Sequence, residues 1–389
     1  MMLFLDGIFF VLGVVLLLVF CYLFFLAAAS FVPEKKNRRF GPKTNFVLLI
    51  PAHNEAELIG ATLDSLERVD YPRELYEVVV LADNCTDATA RIVRERNISC
   101  LERTEPDRPG KGFALGWAFP GLLERYNHDA FIVLDADTYM EPDFLQAINQ
   151  YFCRGAKVVQ GYSQARHPER SPMESLSFLG FALNRNLRYR GRSRLGWSAN
   201  LMGTGMCFSR QVLEQLGWNT TTMVEDIEYG MFLHLHGVRV VFAPDAGINV
   251  ELHAGVNQTG GQRARWDMGK FEVRNRYLPK LLKAGFAKRD IRYFDSAMEL
   301  LLPPFSLFCI VVMACAGLFF LVDFRGINLN FYLWLAVVVS LILYTTLGLV
   351  TAGADAKVYR SLLYAPFFLL WRCWIILSES CRGNKKRQW

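Results

Sequence analysis

The chain has 389 residues, 52% of them hydrophobic, and a formal net charge of +6. This apolar content excludes an intrinsically disordered protein and points to a soluble domain combined with membrane segments. The nine cysteines are scattered with no C-x-x-C pair, which excludes a disulfide or zinc-ribbon framework and leaves them as reduced packing residues.

No charged residue occurs from Gly7 to Val32, from Leu300 to Val322 or from Gly326 to Ala354. Each run exceeds the roughly 20 residues that cross a bilayer core, so three spans are expected. Basic sequence follows the first run ("PEKKNRRFGPK") and only Asp6 precedes it, which places the N-terminus outside and the following domain in the cytoplasm. A signal peptide would have a shorter apolar core and a small-residue cleavage site. The last apolar piece contains Arg372 and ends in "RGNKKRQW", and it reads as an interfacial helix. The expected organisation is a transmembrane helix in 1–33, a cytoplasmic domain over 40–297, two transmembrane helices in 298–354, and an interfacial helix with a basic tail in 355–389.

Within the central domain, apolar runs alternate with helical patterns: "NFVLLI" (45–50), "YEVVVLA" (76–82) and "DAFIVLD" (129–135) each precede an amphipathic stretch. Continuous apolar strands of this kind belong to a parallel sheet covered on both faces, giving an open α/β fold whose ligands bind beyond the carboxyl ends of the strands. The polar residues fall there: "PAHNE" after the first strand, "DNCTD" after the second, "DAD" after the third. Neither G-x-G-x-x-G nor G-x-x-x-x-G-K-[ST] is present, which argues against a dinucleotide fold and a phosphate-binding loop. The positive charge gathers at the membrane flanks and in "RNLRYRGRSR" (185–194), read as facing anionic lipid head groups or as a solvated helix face; no nucleic-acid partner is expected.

Two acids one residue apart, Asp135 and Asp137, repel each other at a strand end unless a cation neutralises them. A hard divalent ion, Mg2+ or Mn2+, that also grips a diphosphate would do so. On that reading Asp137 is the metal ligand, and Asp135 assists through a ribose or a metal-bound water; the alternative is a turn or helix cap.

The ordered set "PAHNE" (51–55), "ADNCTD" (82–87), "GKG" (110–112), "DAD" (135–137), "GTGM" (203–206), "VED" (224–226) and "QRARW" (262–266) resembles the family-two inverting glycosyltransferases, and more narrowly their membrane-bound processive branch, the cellulose, poly-N-acetylglucosamine and hyaluronan synthases. The resemblance covers about 45–275. It implies a GT-A-type open, mostly parallel sheet in a cytoplasmic domain flanked by transmembrane and interfacial helices, and transfer of a sugar from a UDP-sugar to a growing β-linked polysaccharide.

The resemblance also implies roles. Pro51, Ala52, Glu55 and Asp83 would bind the nucleotide, with the two acids accepting from ribose and uracil; both acids have an alternative as helix N-caps. Lys111, in a loop between glycines, would reach a phosphate, or is a solvated turn lysine. Asp226, with Glu225 beside it, matches the base that deprotonates the acceptor, although Glu225, Asp226 and Glu228 equally suit the first turn of a helix. Gln262 and Arg265 would face the diphosphate, while Trp266, Gly203 and Thr204 would face the acceptor; the same helix also suits a membrane interface. His234 and His236 stand two apart on a predicted helix, which is poor spacing for a shared metal.

A ceramide-glucosyltransferase-like transfer to a membrane lipid shares these motifs and anchors. An inert scaffold or transporter subunit would have lost the acids, and a transporter would carry charges inside its spans. The expected partners are a UDP-sugar, a saccharide or lipid acceptor and membrane lipids, with a homo-oligomer or secretion partner left open. The expected location is a bacterial inner membrane, multi-pass.

Overall fold

The computed structural model describes residues 2–33, 39–251, 256–322 and 328–382. Contacts group the chain into two compact units, one of residues 1–34, 167–196 and 302–381, the other of 35–166, 197–301 and 382–389.

In chain order, α1 (Met2–Ser30) precedes β1 (Phe46–Ala52), α2 (Ile59–Leu66), β2 (Tyr76–Asp83), α3 (Thr89–Glu95) and β3 (Ser99–Arg103). Then come α4 (Lys111–Arg125), β4 (Ala130–Val133), β5 (Thr138–Met140), α5 (Phe144–Cys153), β6 (Val158–Ala165), α6 (Pro172–Ala182) and α7 (Arg190–Arg194). They are followed by β7 (Met206–Ser209), α8 (Arg210–Leu216), α9 (Glu225–Leu235), β8 (Val240–Val250), α10 (Val256–Lys288) and α11 (Ile291–Leu301). The chain closes with α12 (Phe305–Val322), α13 (Leu329–Thr351), α14 (Ala356–Ser361) and α15 (Ala365–Arg382).

The unit that contains β1 is built on an eight-stranded sheet ordered β3-β2-β1-β4-β7-β6-β8-β5. Every residue of β1 is buried, as a strand covered on both faces requires, and it pairs in parallel with β2 and β4. Its ladder to β4 ends at Leu49, so Pro51, which has no N–H to donate, stands where that side of the strand is already unpaired. The first four strands are parallel, as the apolar runs imply. Beyond β4 the sheet is mixed: β7 runs antiparallel to β4 and β6, and β5 antiparallel to β8, while β6 and β8 are parallel. One face packs Phe46, Leu48, Ile50, Ile132 and Leu134 against Leu63 and Leu66 of α2 and Phe144 and Ile148 of α5.

The other unit holds the long apolar helices. Two helices among the described residues are long and apolar enough to cross a membrane, at Phe4–Ser30 and Leu329–Thr351; α12 qualifies only when counted with α11 as one broken span. Trp334 of α13 is fully buried, with its ring beside Phe9 of α1 and Phe319 of α12.

The arginine-rich segment belongs to this unit, not to a continuous domain over 40–297. Residues Leu183–Tyr189 form a π-helical stretch that joins α6 to α7. Arg185 and Arg192 are fully buried and Arg188 nearly so, which corrects both the head-group and the solvated-face reading for these three. Arg192 donates to the Tyr22 hydroxyl of α1 at 2.9 Å. A side chain at Gly191 would collide with the backbone of Leu26, so glycine allows the two helices to touch.

Candidate active site

The polar strand ends converge where the sequence places them. β4 stops at Val133, and the next four residues carry Asp135 and Asp137. The Asp135 amide donates to the Thr204 hydroxyl at 3.1 Å, and that hydroxyl is 3.0 Å from the hydroxyl of Thr138. Buried Thr204 thereby fixes the turn that aims Asp135.

Lys111 is the first residue of α4 and not part of a loop between flexible glycines. Gly110, at φ +123°, makes the turn into the helix, and Gly112 faces Thr220 and Glu225, where a Cβ would stand 2.7 Å from the Thr220 hydroxyl. The Lys111 ammonium forms an ion pair with Asp135, donates to the Gly203 carbonyl at 2.7 Å, and lies 3.7 Å from Glu225 Oε1. Burial works against its charge, but Asp135 and Glu225 beside it hold its pKa above the ordinary value. Lys111 is thus neither a solvated turn residue nor a free point charge; it neutralises the acids around it.

Those acids surround Gly203, whose φ of +76° suits glycine. A Cβ placed there would stand 3.7 Å from Asp226 Oδ2, 3.8 Å from Asp135 Oδ2 and 3.8 Å from Lys111 Nζ. Glu225 and Asp226 open α9, as the first-turn alternative holds, and they also face Lys111. Burial, opposed by Lys111 and reinforced by Asp226, pushes Glu225 up to about 7. Burial raises Asp226 to about 6 against the pull of the Ile227 N–H and Lys111. A carboxyl poised near neutrality is what a general base needs.

Asp137 has the strongest environment for a cation. Burial first, then Asp135 and Glu55, raise it to about 7, and its buried Oδ1 has no hydrogen-bond partner. Among the described residues no three His, Cys, Asp or Glu converge into a metal cage. The unpartnered Asp137 oxygen fits a hard cation held by one or two carboxylate oxygens and completed by water and phosphate oxygens.

The residues expected to bind the nucleotide lie at the ends of β1 and β2. Glu55 is half-buried, its pKa raised by burial and by Asp135. Asp83 is fully buried at the last position of β2, where Oδ1 accepts from Arg103 Nη1 at 2.6 Å and Asn84 Nδ2 at 3.0 Å. Neither acid caps a helix: α2 and α3 begin after Leu58 and Ala88, without a side-chain cap. Pro51 and Ala52 are buried in β1 and form the end of that strand. Asp87, which was not singled out in the sequence, joins the two loops by accepting from the Thr89 amide and hydroxyl and from the Ala56 amide.

Gln262, Arg265 and Trp266 fall on α10. Trp266 is 48% exposed. The side chains of Gln262 and Arg265 lie outside the described residues.

A sequence model described as glycosyltransferase-like family 2 matches residues 42–269, more than half of the chain. The chain belongs to this glycosyltransferase family. Among curated relatives, the β-monoglucosyldiacylglycerol synthase of Synechocystis sp. is 28% identical over 246 residues, which cover 61% of this chain and 49% of that protein. The poly-β-1,6-N-acetyl-D-glucosamine synthase of Staphylococcus aureus is 24% identical over 65% of this chain and 61% of its own length. The chain thus spans about half to two-thirds of these relatives. The mannosyltransferase PcManGT from Pyrobaculum calidifontis, solved with GDP-Man and Mn2+, superposes with a TM-score of 0.60 at 19% identity, covering 91% of this chain and 97% of that one. The likeness establishes the GT-A type of fold.

Proposed function

We propose that this glycosyltransferase is a membrane-bound, inverting, metal-dependent hexosyltransferase that takes its sugar from a UDP-sugar on the cytoplasmic side. The observation that carries the reading is the group of acids around Gly203, with Lys111 as its counter-ion and the unpartnered Asp137 oxygen beside it.

Glu55 and Asp83 lie on the nucleotide side, where carboxylate acceptors suit the O–H and N–H donors of ribose and uracil. Asp137 would hold a divalent cation, which when bound would supply charge neutralisation for the leaving diphosphate. Arg265 adds a planar fork for the same oxygens, and Trp266 offers a flat apolar face to a pyranose ring. Asp226 accepts the acceptor hydroxyl proton as that oxygen bonds to the anomeric carbon from the face opposite UDP, so the C–O bond to phosphate breaks and the configuration inverts. Glu225 holds Lys111 beside this base.

The acceptor is a growing β-linked saccharide on the reading drawn from the motifs. A membrane-lipid acceptor is the second reading, favoured by the identity to a glucosyldiacylglycerol synthase. Purified protein incubated with a panel of UDP-sugars and Mn2+ or Mg2+, with UDP release and product size measured, separates the two: a ladder of lengths supports polymerisation, one lipid-extractable product supports the second. No UDP release from any donor overturns the proposal.

A further inference from the structure

The third acid of α9, Glu228, is used by neither the nucleotide side nor the base. It is 1% exposed, yet it is fully engaged. Its Oε2 accepts the backbone N–H groups of Thr221 and Thr222 at 2.8 and 2.9 Å, and its Oε1 accepts from Arg276 Nη1 at 2.5 Å. Arg276 lies on α10, ten residues beyond Trp266. The same nitrogen reaches the Thr221 hydroxyl at 2.8 Å, and Nη2 reaches Glu272 at 3.1 Å. A second contact lies between the same two elements. A Cβ at Gly269 of α10 would stand 3.1 Å from both methyl groups of Val224, the residue before Glu225. Val273, Tyr277 and Leu281 continue that stripe of α10 against Val224 and Met231.

The far end of the same loop is tied elsewhere. Trp218 Nε1 donates to the Gly112 carbonyl at 3.0 Å, one residue after Lys111, and the Tyr229 hydroxyl donates to the Gly217 carbonyl at 2.7 Å. Residues 217–224 are therefore stretched between α4, which supplies the counter-ion, and α10, which carries the Q-x-x-R-W motif.

We propose that Glu228 and Arg276 form a clasp that fixes loop 217–224 to α10, and that they are positioning residues for Asp226. The inference rests on Asp226 being the base. Two charge-assisted bonds from one buried carboxylate to adjacent amides fix the backbone immediately before α9, and a shift of about 1 Å in a reacting group costs as much as 10²-fold in rate. Arg276 supplies the counter-charge to the buried Glu228 carboxylate that accepts both amides. Without it the carboxylate would stand as a buried charge lacking its counter-ion, and the loop it holds would loosen.

The test compares the full chain with Arg276→Met, Arg276→Lys and Glu228→Gln, with Arg274→Met as a control on a neighbouring half-buried cation that lies over the Phe271 ring. Hydrogen exchange at Thr221 and Thr222 should accelerate about tenfold or more in Arg276→Met and Glu228→Gln, and less in Arg276→Lys. Turnover should fall about tenfold while the donor KM stays within about twofold, because the clasp positions the base and not the nucleotide. The double variant Glu228→Gln/Arg276→Met should be no worse than Arg276→Met alone. Parent-like exchange in the variants overturns the clasp, and so does a loss expressed only in donor KM. If Arg276→Met fails to fold, Arg276→Lys and Glu228→Gln carry the same comparison. A parent that releases no UDP from any donor defeats the functional reading instead, and the exchange arm still decides whether the clasp holds the loop.

Discussion

Asp226→Asn separates what Asp226 does for the reaction from what it does to the fold. The substitution keeps the size of the side chain, and an amide oxygen can still accept the Ile227 N–H that Oδ1 accepts at 2.8 Å. As the base, Asp226 contributes roughly 10²-fold or more to turnover, so about 2.7 kcal/mol of transition-state stabilisation should disappear. The effect on stability has the opposite sign. A carboxyl whose pKa rises on folding from 3.8 to about 6 stabilises the fold fully below pH 4, and that contribution is lost as pH rises through 6. At pH 8 the ionised group therefore opposes folding, by an upper bound of about 3 kcal/mol at 1.36 kcal/mol per pKa unit, and nearer 1–2 kcal/mol given partial access to water. An asparagine never ionises, so the variant should melt several degrees higher than the parent at pH 8 and almost level with it near pH 4. Thermal unfolding in detergent at the two pH values, run beside UDP release, reads both effects. A variant that is less stable at pH 8, or that turns over normally, refutes the assignment; a dead Glu225→Gln beside an active Asp226→Asn moves the base to Glu225.

Asp137→Ala should abolish transfer, and chelation should do the same to the parent, while the melting temperature survives; full turnover in excess EDTA would refute the metal role. Arg103→Met removes the charged partner of buried Asp83 and should destabilise by about 3–5 kcal/mol, with much of the loss recovered in Arg103→Met/Asp83→Asn, as read by denaturant unfolding. Burial lowers His234 from 6.5 to about 4. The neutral form therefore supports the fold above pH 6.5, and the contribution is lost as pH falls through 4; the parent should lose more stability over that window than His234→Gln. Arg265→Lys should weaken use of the donor and Trp266→Ala use of the acceptor. Equal small changes in both would leave that segment as a membrane contact alone.

The half of the sheet up to β4 was legible because its strands are buried on both faces and read as unbroken apolar runs. β6 and β8 were missed because they carry Gln160, Gln164 and Asn249, polar residues satisfied by one another and by the Thr204 carbonyl, so no local pattern marks them as strands. The acids around Gly203 stand out in the sequence because each lies in a short motif at a strand or helix end. Their partners were hidden by separation along the chain: Arg103 lies 20 residues from Asp83, Lys111 24 from Asp135, and Arg276 48 from Glu228. The arginines at 185, 188 and 192 were misread for a related reason. Charge at a surface-like spacing implies solvent only if no other element covers it, and here α1 lies on that segment.

The connection from β4 to β5 has a consequence for how the site tolerates change. In the pairing order β5 lies four places from β4, about 19 Å across a flat sheet at 4.8 Å per strand. The five Cα steps from Val133 to Thr138 reach at most about 18 Å, and the turn between Asp135 and Thr138 shortens them further. The sheet must therefore curl until its edge returns towards its middle, and the segment bearing Asp135 and Asp137 is the strut across that curl. Its length is set by the curvature of the sheet as much as by chemistry, so one inserted residue would separate the two acids and slacken the whole rim at once.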